Sequence, residues 1–138
     1  MIYYHFENIS ELKIPEQKLS DWLESVCKSE SASLHELNYI FCSDSYLLKI
    51  NQQYLSHDYF TDIITFDHSN NQDEIMGDIY ISIDRVQENA KTYKVAFESE
   101  LFRVIVHGLL HLLGYDDHGD AVKEMRTKED SYLSLLSL

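Results

Sequence analysis

Residues 101–118 read LFRVIVHGLLHLLGYDDH, and the organisation of the chain turns on them. Leu101 to Leu113 is apolar nearly all round, the pattern of a central helix buried on every side. His107 and His111 interrupt it, four residues apart. At a rise of ~1.5 Å per residue, this spacing puts two imidazoles ~6 Å apart along one helical face. Such a pair can converge on one ion, as on the H-E-x-x-H helix of zinc peptidases. The plainer reading is two core histidines, each hydrogen-bonded to backbone. In a helix with almost no other polar group, that would leave several ring nitrogens to satisfy separately.

Gly114 stands where a left-handed residue stops a helix and turns the chain back. Tyr115, Asp116, Asp117 and His118 follow at once, so the turn can return a third donor to the two histidines. Carboxylate oxygen and imidazole nitrogen both bind zinc, and three protein ligands leave a fourth position for water, the arrangement of a hydrolase. Gly108 occupies the place where zinc peptidases carry a catalytic glutamate, which argues against a metallopeptidase.

The rest of the chain frames this helix. Its 138 residues are the length of one domain, so 1–138 reads as a single metal-dependent hydrolase domain. Ile2 to Phe6 reads as a strand. Pro15 suits the first position of a helix on which Leu19, Trp22, Leu23 and Val26 share a face. Leu37, Tyr39 and Phe41 alternate in a second strand. Ser43 or Asp44 caps the next helix, which carries Leu47, Ile50, Asn51 and Tyr54. Asp62 to Phe66 and Asp78 to Ile83 form a hairpin across a polar loop around Ser69 to Asp73. Helices follow over Arg85 to Tyr93, Glu98 to Leu113, and from Gly119 or Asp120 to Leu136. On the last of these, Val122, Met125, Tyr132, Leu133 and Leu136 close the core, and Lys123-Glu124 and Lys128-Glu129-Asp130 read as a solvated face. Together these elements predict an α+β fold: a small mixed sheet of about four strands packed with about five helices, the histidine helix at its centre.

Composition narrows the function. A formal charge of −13 excludes a broad basic surface that grips nucleic acid through many phosphates. A nucleic-acid substrate would need a local positive centre, which a bound metal ion can supply. The ten tyrosines and six phenylalanines read as core and rim. Cys27 and Cys42 lack CxxC spacing and read as buried reduced thiols, with a disulfide or a metal site as the lesser alternatives. The start MIYYHFENIS has no basic and apolar signal pattern, and no apolar run approaches the ~20 residues that span a bilayer. The expected setting is the cytoplasm, without a membrane partner.

HGLLHLLGYDD followed by His118 resembles the signature of the YbeY family of bacterial endoribonucleases, also called rRNA maturation factors. Asn51 and Tyr54 are similar to the family's N-x-x-Y. Thr61-Asp62-Ile63-Ile64-Thr65-Phe66 is similar to its T-D-V-L-S-F, and Met76-Gly77-Asp78-Ile79 to its G-D-I strand start. The resemblance implies an α+β domain and one zinc ion per chain held by three histidines. It implies cleavage of single-stranded RNA, with work on the 3′ end of small-subunit ribosomal RNA and in ribosome quality control, hence the small ribosomal subunit as partner. Two departures stand out. The family's third histidine comes ten residues after the first, where this chain has Asp117, with His118 one further on. Asp117 keeps the register and is the favoured third ligand; His118 is the alternative. The family also carries an arginine after the tyrosine matching Tyr54, suited to a phosphate, and here that residue is Leu55; His57 reads first as a loop histidine and only second as a partial substitute. The candidate catalytic group is thus His107, His111, Asp117 and His118. Whichever of Asp116 and His118 is not on the metal is available to shuttle a proton. Thr61, Asp62 and Asp78 either orient ligands and line the cleft or serve strand-end packing and capping. A non-catalytic ribosome-assembly module with a structural zinc is the competing reading.

Overall fold

The computed structural model describes residues 1–71 and 73–136. Among them the chain runs β1 (Ile2–Glu7), α1 (Glu16–Ser29), β2 (Ser33–Cys42), α2 (Asp44–Leu55), β3 (Ile63–Asp67), β4 (Glu74–Ser82), α3 (Ile83–Tyr93), α4 (Phe97–Leu112) and α5 (Ala121–Leu133). The four strands form one mixed sheet in the order β1-β2-β4-β3. β1 and β4 flank β2 in parallel, and β3 returns antiparallel to β4. This is the expected α+β architecture.

Strand alternation decides which face each helix covers. Leu37, Tyr39 and Phe41 on β2 and Ile75, Ile79 and Ile81 on β4 join a main core with residues of α1, α3, α4 and α5. A smaller core, Cys42, Leu47 and Ile64, holds α2. α4 is the hub: Leu101, Val104, Ile105, Val106, Leu109, Leu110 and Leu112 are all buried. Tyr39 reaches from the sheet to donate its hydroxyl to the Ile105 carbonyl at 2.8 Å. Gly108 lets helix and sheet meet, because a Cβ there would fall 2.9 Å from side-chain carbons of Ile63 and Ile79. A side chain at this position would force those isoleucines to shift. No described helix is long and apolar enough to cross a membrane.

Several boundaries differ from the sequence expectation. β4 starts at Glu74, ahead of Asp78, because parallel pairing with β2 begins at Ser33↔Glu74. Ile83, expected to end that strand, opens α3, where the Ser82 hydroxyl caps the Arg85 N–H at 3.1 Å. The hairpin loop around Ser69 to Asp73 includes residue 72, outside the described residues. Pro15 precedes the first residue of α1 instead of occupying it. Of the two proposed caps for α2, Ser43 accepts the Tyr46 N–H. α5 ends at Leu133, and Val122, expected in the core, is exposed.

Candidate metal centre

His107 and His111 leave α4 on the same side, their ring centroids 4.6 Å apart and nearly perpendicular. The helix then stops as anticipated at Gly114, which takes a φ of +105°. Gly114 N–H donates to the His111 carbonyl and Tyr115 N–H to the Leu110 carbonyl, each at 3.0 Å. This paired bonding is the Schellman termination, which satisfies the last carbonyls while reversing the chain. The reversal returns Asp117, whose Oδ2 lies 3.4 Å from the Nε2 of both histidines.

These three donors, all within 4.8 Å of one another, suit a small cation. Tetrahedral zinc with bonds of about 2.0–2.2 Å separates its ligands by about 3.3–3.6 Å, which brackets the observed 3.4 Å. A good hydrogen bond would be shorter. His118 stands outside this group, its side chain 84% exposed and its Nδ1 2.9 Å from Asp116 Oδ1 and 3.0 Å from the outer oxygen of Asp117. Asp116 beside it raises the His118 pKa, and His118 in turn lowers that of Asp116.

Glu129 is the residue of this cluster that the sequence reading misplaced. Assigned there to a solvated face, it is only 4% exposed. Its Oε2 lies 2.6 Å from His107 Nδ1, and its Oε1 accepts from Arg103 at 2.8 Å. An N–H at Nδ1 directed to this carboxylate leaves the Nε2 lone pair facing Asp117, the usual arrangement behind a metal-bound histidine. Burial disfavours charge on both partners. For His107 the neighbouring Glu129 outweighs burial and holds the imidazole above its ordinary pKa; for Glu129, His107 and Arg103 outweigh it and hold the carboxyl below. The overlooked signal was periodicity: Met125, Glu129 and Tyr132 recur on one face of α5 and are its buried residues.

A cavity of about 290 Å³ adjoins the donors, lined among others by Asp62, Glu100, Arg103, His107, Asp117 and Arg126. Burial pushes the Asp62 carboxyl above its ordinary range. Thr61 donates its hydroxyl to the nearby Ile63 carbonyl at 3.5 Å. Asp78 points elsewhere, accepting from Asn38 at 3.2 Å and meeting His68 at 3.1 Å. Buried Asn51 donates to the Tyr59 carbonyl and so holds the segment after α2, on which His57 packs against Tyr59.

The family model described as Endoribonuclease YbeY matches residues 5–137. This chain belongs to the YbeY family. The Endoribonuclease YbeY of Flavobacterium psychrophilum is 54% identical over 136 residues, covering 98% of this chain and 96% of the relative. That of Cytophaga hutchinsonii is 55% identical over 119 residues, covering 86% and 83%. A solution structure from Thermotoga maritima superposes with a TM-score of 0.72 at 31% identity, covering 99% of this chain and 89% of that one. Against the YbeY signature, the aspartate in the third-histidine register is the residue this structure brings to His107 and His111.

Proposed function

We propose that this YbeY protein is a zinc-dependent endoribonuclease that cuts single-stranded RNA. In this reading it works in the cytoplasm, with the small ribosomal subunit, on the 3′ end of small-subunit ribosomal RNA and in ribosome quality control. The observation that carries the proposal is the equidistant placement of Asp117 Oδ2 between two imidazole nitrogens. His107 Nε2, His111 Nε2 and Asp117 Oδ2 would hold one zinc ion, which would supply Lewis-acid chemistry for phosphodiester cleavage. Glu129 fixes the tautomer and direction of His107. His118, exposed and hydrogen-bonded to Asp116, would pass a proton between the site and water. Asp62 faces the same cavity with a carboxyl that burial inclines to keep its proton.

A non-catalytic assembly module has two observations in its favour, Leu55 in the family's arginine position and the charge of −13. Incubating the protein with single-stranded RNA ending in the small-subunit 3′ sequence separates the readings. Cleavage that stops on chelation and returns with zinc supports the nuclease. Intact RNA with zinc bound at one per chain supports the module, and cleavage that survives complete metal removal contradicts the proposal.

A further inference from the structure

The aromatic residues do not all serve the core and its rim. Tyr59 is 56% exposed, Phe60 52% and Tyr93 62%. Tyr59 and Phe60 lie in residues 56–62, between α2 and β3, and each ring has a side-chain neighbour. Asn51 donates to the Tyr59 carbonyl at 3.0 Å, and its own carbonyl accepts the His57 N–H at 3.2 Å. The His57 ring stacks on Tyr59 with centroids 5.2 Å apart, its Nδ1 3.0 Å from the phenol oxygen. The Arg85 guanidinium lies 5.4 Å from the Phe60 centroid and is itself anchored on Asp44 at 2.7 Å.

This segment leads into the cavity beside the candidate metal donors. Asp62, two residues past Phe60, lines that cavity together with His107 and Asp117. On α3, Arg85 under Phe60 is followed at four-residue steps by Asn89 and Tyr93, one helical face, and both of these line the cavity. Tyr93 thus exposes a ring in the lining itself, and Tyr59 and Phe60 expose theirs on the segment that leads to Asp62.

Charge says what the rings can hold. With a formal charge of −13, the chain has little capacity to bind RNA by neutralising a run of phosphates. Unpaired bases offer another source of affinity, because they stack on aromatic side chains regardless of sequence and a duplex withholds them. We infer that Tyr59 and Phe60 form a nucleobase-stacking platform that seats unpaired bases of the RNA, so that the adjoining phosphodiester enters the cavity beside His107 and Asp117. The inference rests on the nuclease reading above and specifies how its substrate is held.

The test measures binding of a fluorescent single-stranded 2′-O-methyl oligonucleotide, which lacks the free 2′-hydroxyl, to the zinc-loaded protein. Loss of one stack should weaken binding by about tenfold in Tyr59→Leu and in Phe60→Leu. Tyr59→Phe, which keeps the ring, should restore most of the affinity. Tyr3→Leu, at an exposed tyrosine on β1, should bind as wild type. The wild-type salt dependence should be shallow, a log–log slope of about −1.4 or less in magnitude, equivalent to two phosphate contacts. On cleavable RNA the two leucine variants should raise KM with zinc content unchanged. Wild-type affinity in both leucine variants, with wild-type cleavage intact, overturns the stacking platform alone. A wild-type protein that neither binds nor cuts RNA overturns the nuclease reading and the platform with it.

Discussion

Two polar knots flank the Gly114 turn, and they are built differently. In one, Glu30 at the end of α1 accepts hydrogen bonds from the Tyr115 hydroxyl at 2.6 Å, from the Tyr132 hydroxyl, and from Lys128 at 3.1 Å. Donors and acceptors match, and the knot ties α1, the turn and α5 together with nothing left over. In the other, Glu129 has already taken the Nδ1 side of His107, so Nε2 faces a carboxylate oxygen it shares with His111. Lone pairs converge there, and a proton or a cation must lie between them. The first knot is closed by its own hydrogen bonds; the second has room for a proton or a small cation between its donors.

Breaking the second knot should have the largest effect. His107→Ala or His111→Ala should reduce zinc from one per chain to none and lower RNA cleavage by more than about 100-fold, read by metal analysis and single-turnover assays; ligand loss should exceed the 10–100-fold typical of outer-shell changes. His118→Ala should keep the zinc, and losing it there would move the site outward. Glu129→Gln tests the support behind His107, with zinc affinity expected to fall about 10–100-fold by chelator competition. Unchanged affinity would reduce Glu129 to a packing residue.

The Glu30 knot should respond in stability alone. Glu30→Gln should lower unfolding free energy by about 1.5–3 kcal/mol at neutral pH while keeping one zinc per chain. Burial raises the Glu30 pKa, but hydrogen bonds from Tyr115, Tyr132 and Lys128 outweigh it and the carboxyl ends below its ordinary value. A depressed folded pKa gives stability that is present above the unfolded pKa and lost as pH falls through the folded one. Wild type and variant should therefore converge in acid denaturation. The smallest effect belongs to the cysteines, whose thiols burial pushes up to about 11 at Cys27 and about 12 at Cys42. Thiol reagents at pH 8 should label them only as fast as the protein unfolds; rapid labelling of the native protein would contradict their burial.

What was legible in the sequence was what local rules govern. The apolar run of α4, the four-residue histidine spacing and the Gly114 stop each need only a few neighbours to read. The strand-to-helix boundary at Ser82 was not legible, because the alternation of residues 79–83 runs straight through it and only the cap marks the change. Asp117 and His118 stayed open because which one turns inward depends on backbone angles past the glycine. Glu129 was hidden inside a charged triplet, 22 residues and one helix away from its partner. The exposure of Tyr59 and Phe60 follows from how Asn51 holds their segment, which composition does not encode.

Crystals of the zinc-loaded protein measured at the zinc absorption edge test the central claim most directly. The account predicts one anomalous peak per chain at about 2.0–2.2 Å from His107 Nε2, His111 Nε2 and an Asp117 carboxylate oxygen, with His118 pointing to Asp116. No peak between the two imidazoles, or a peak bound by His118 with Asp117 turned away, would contradict it.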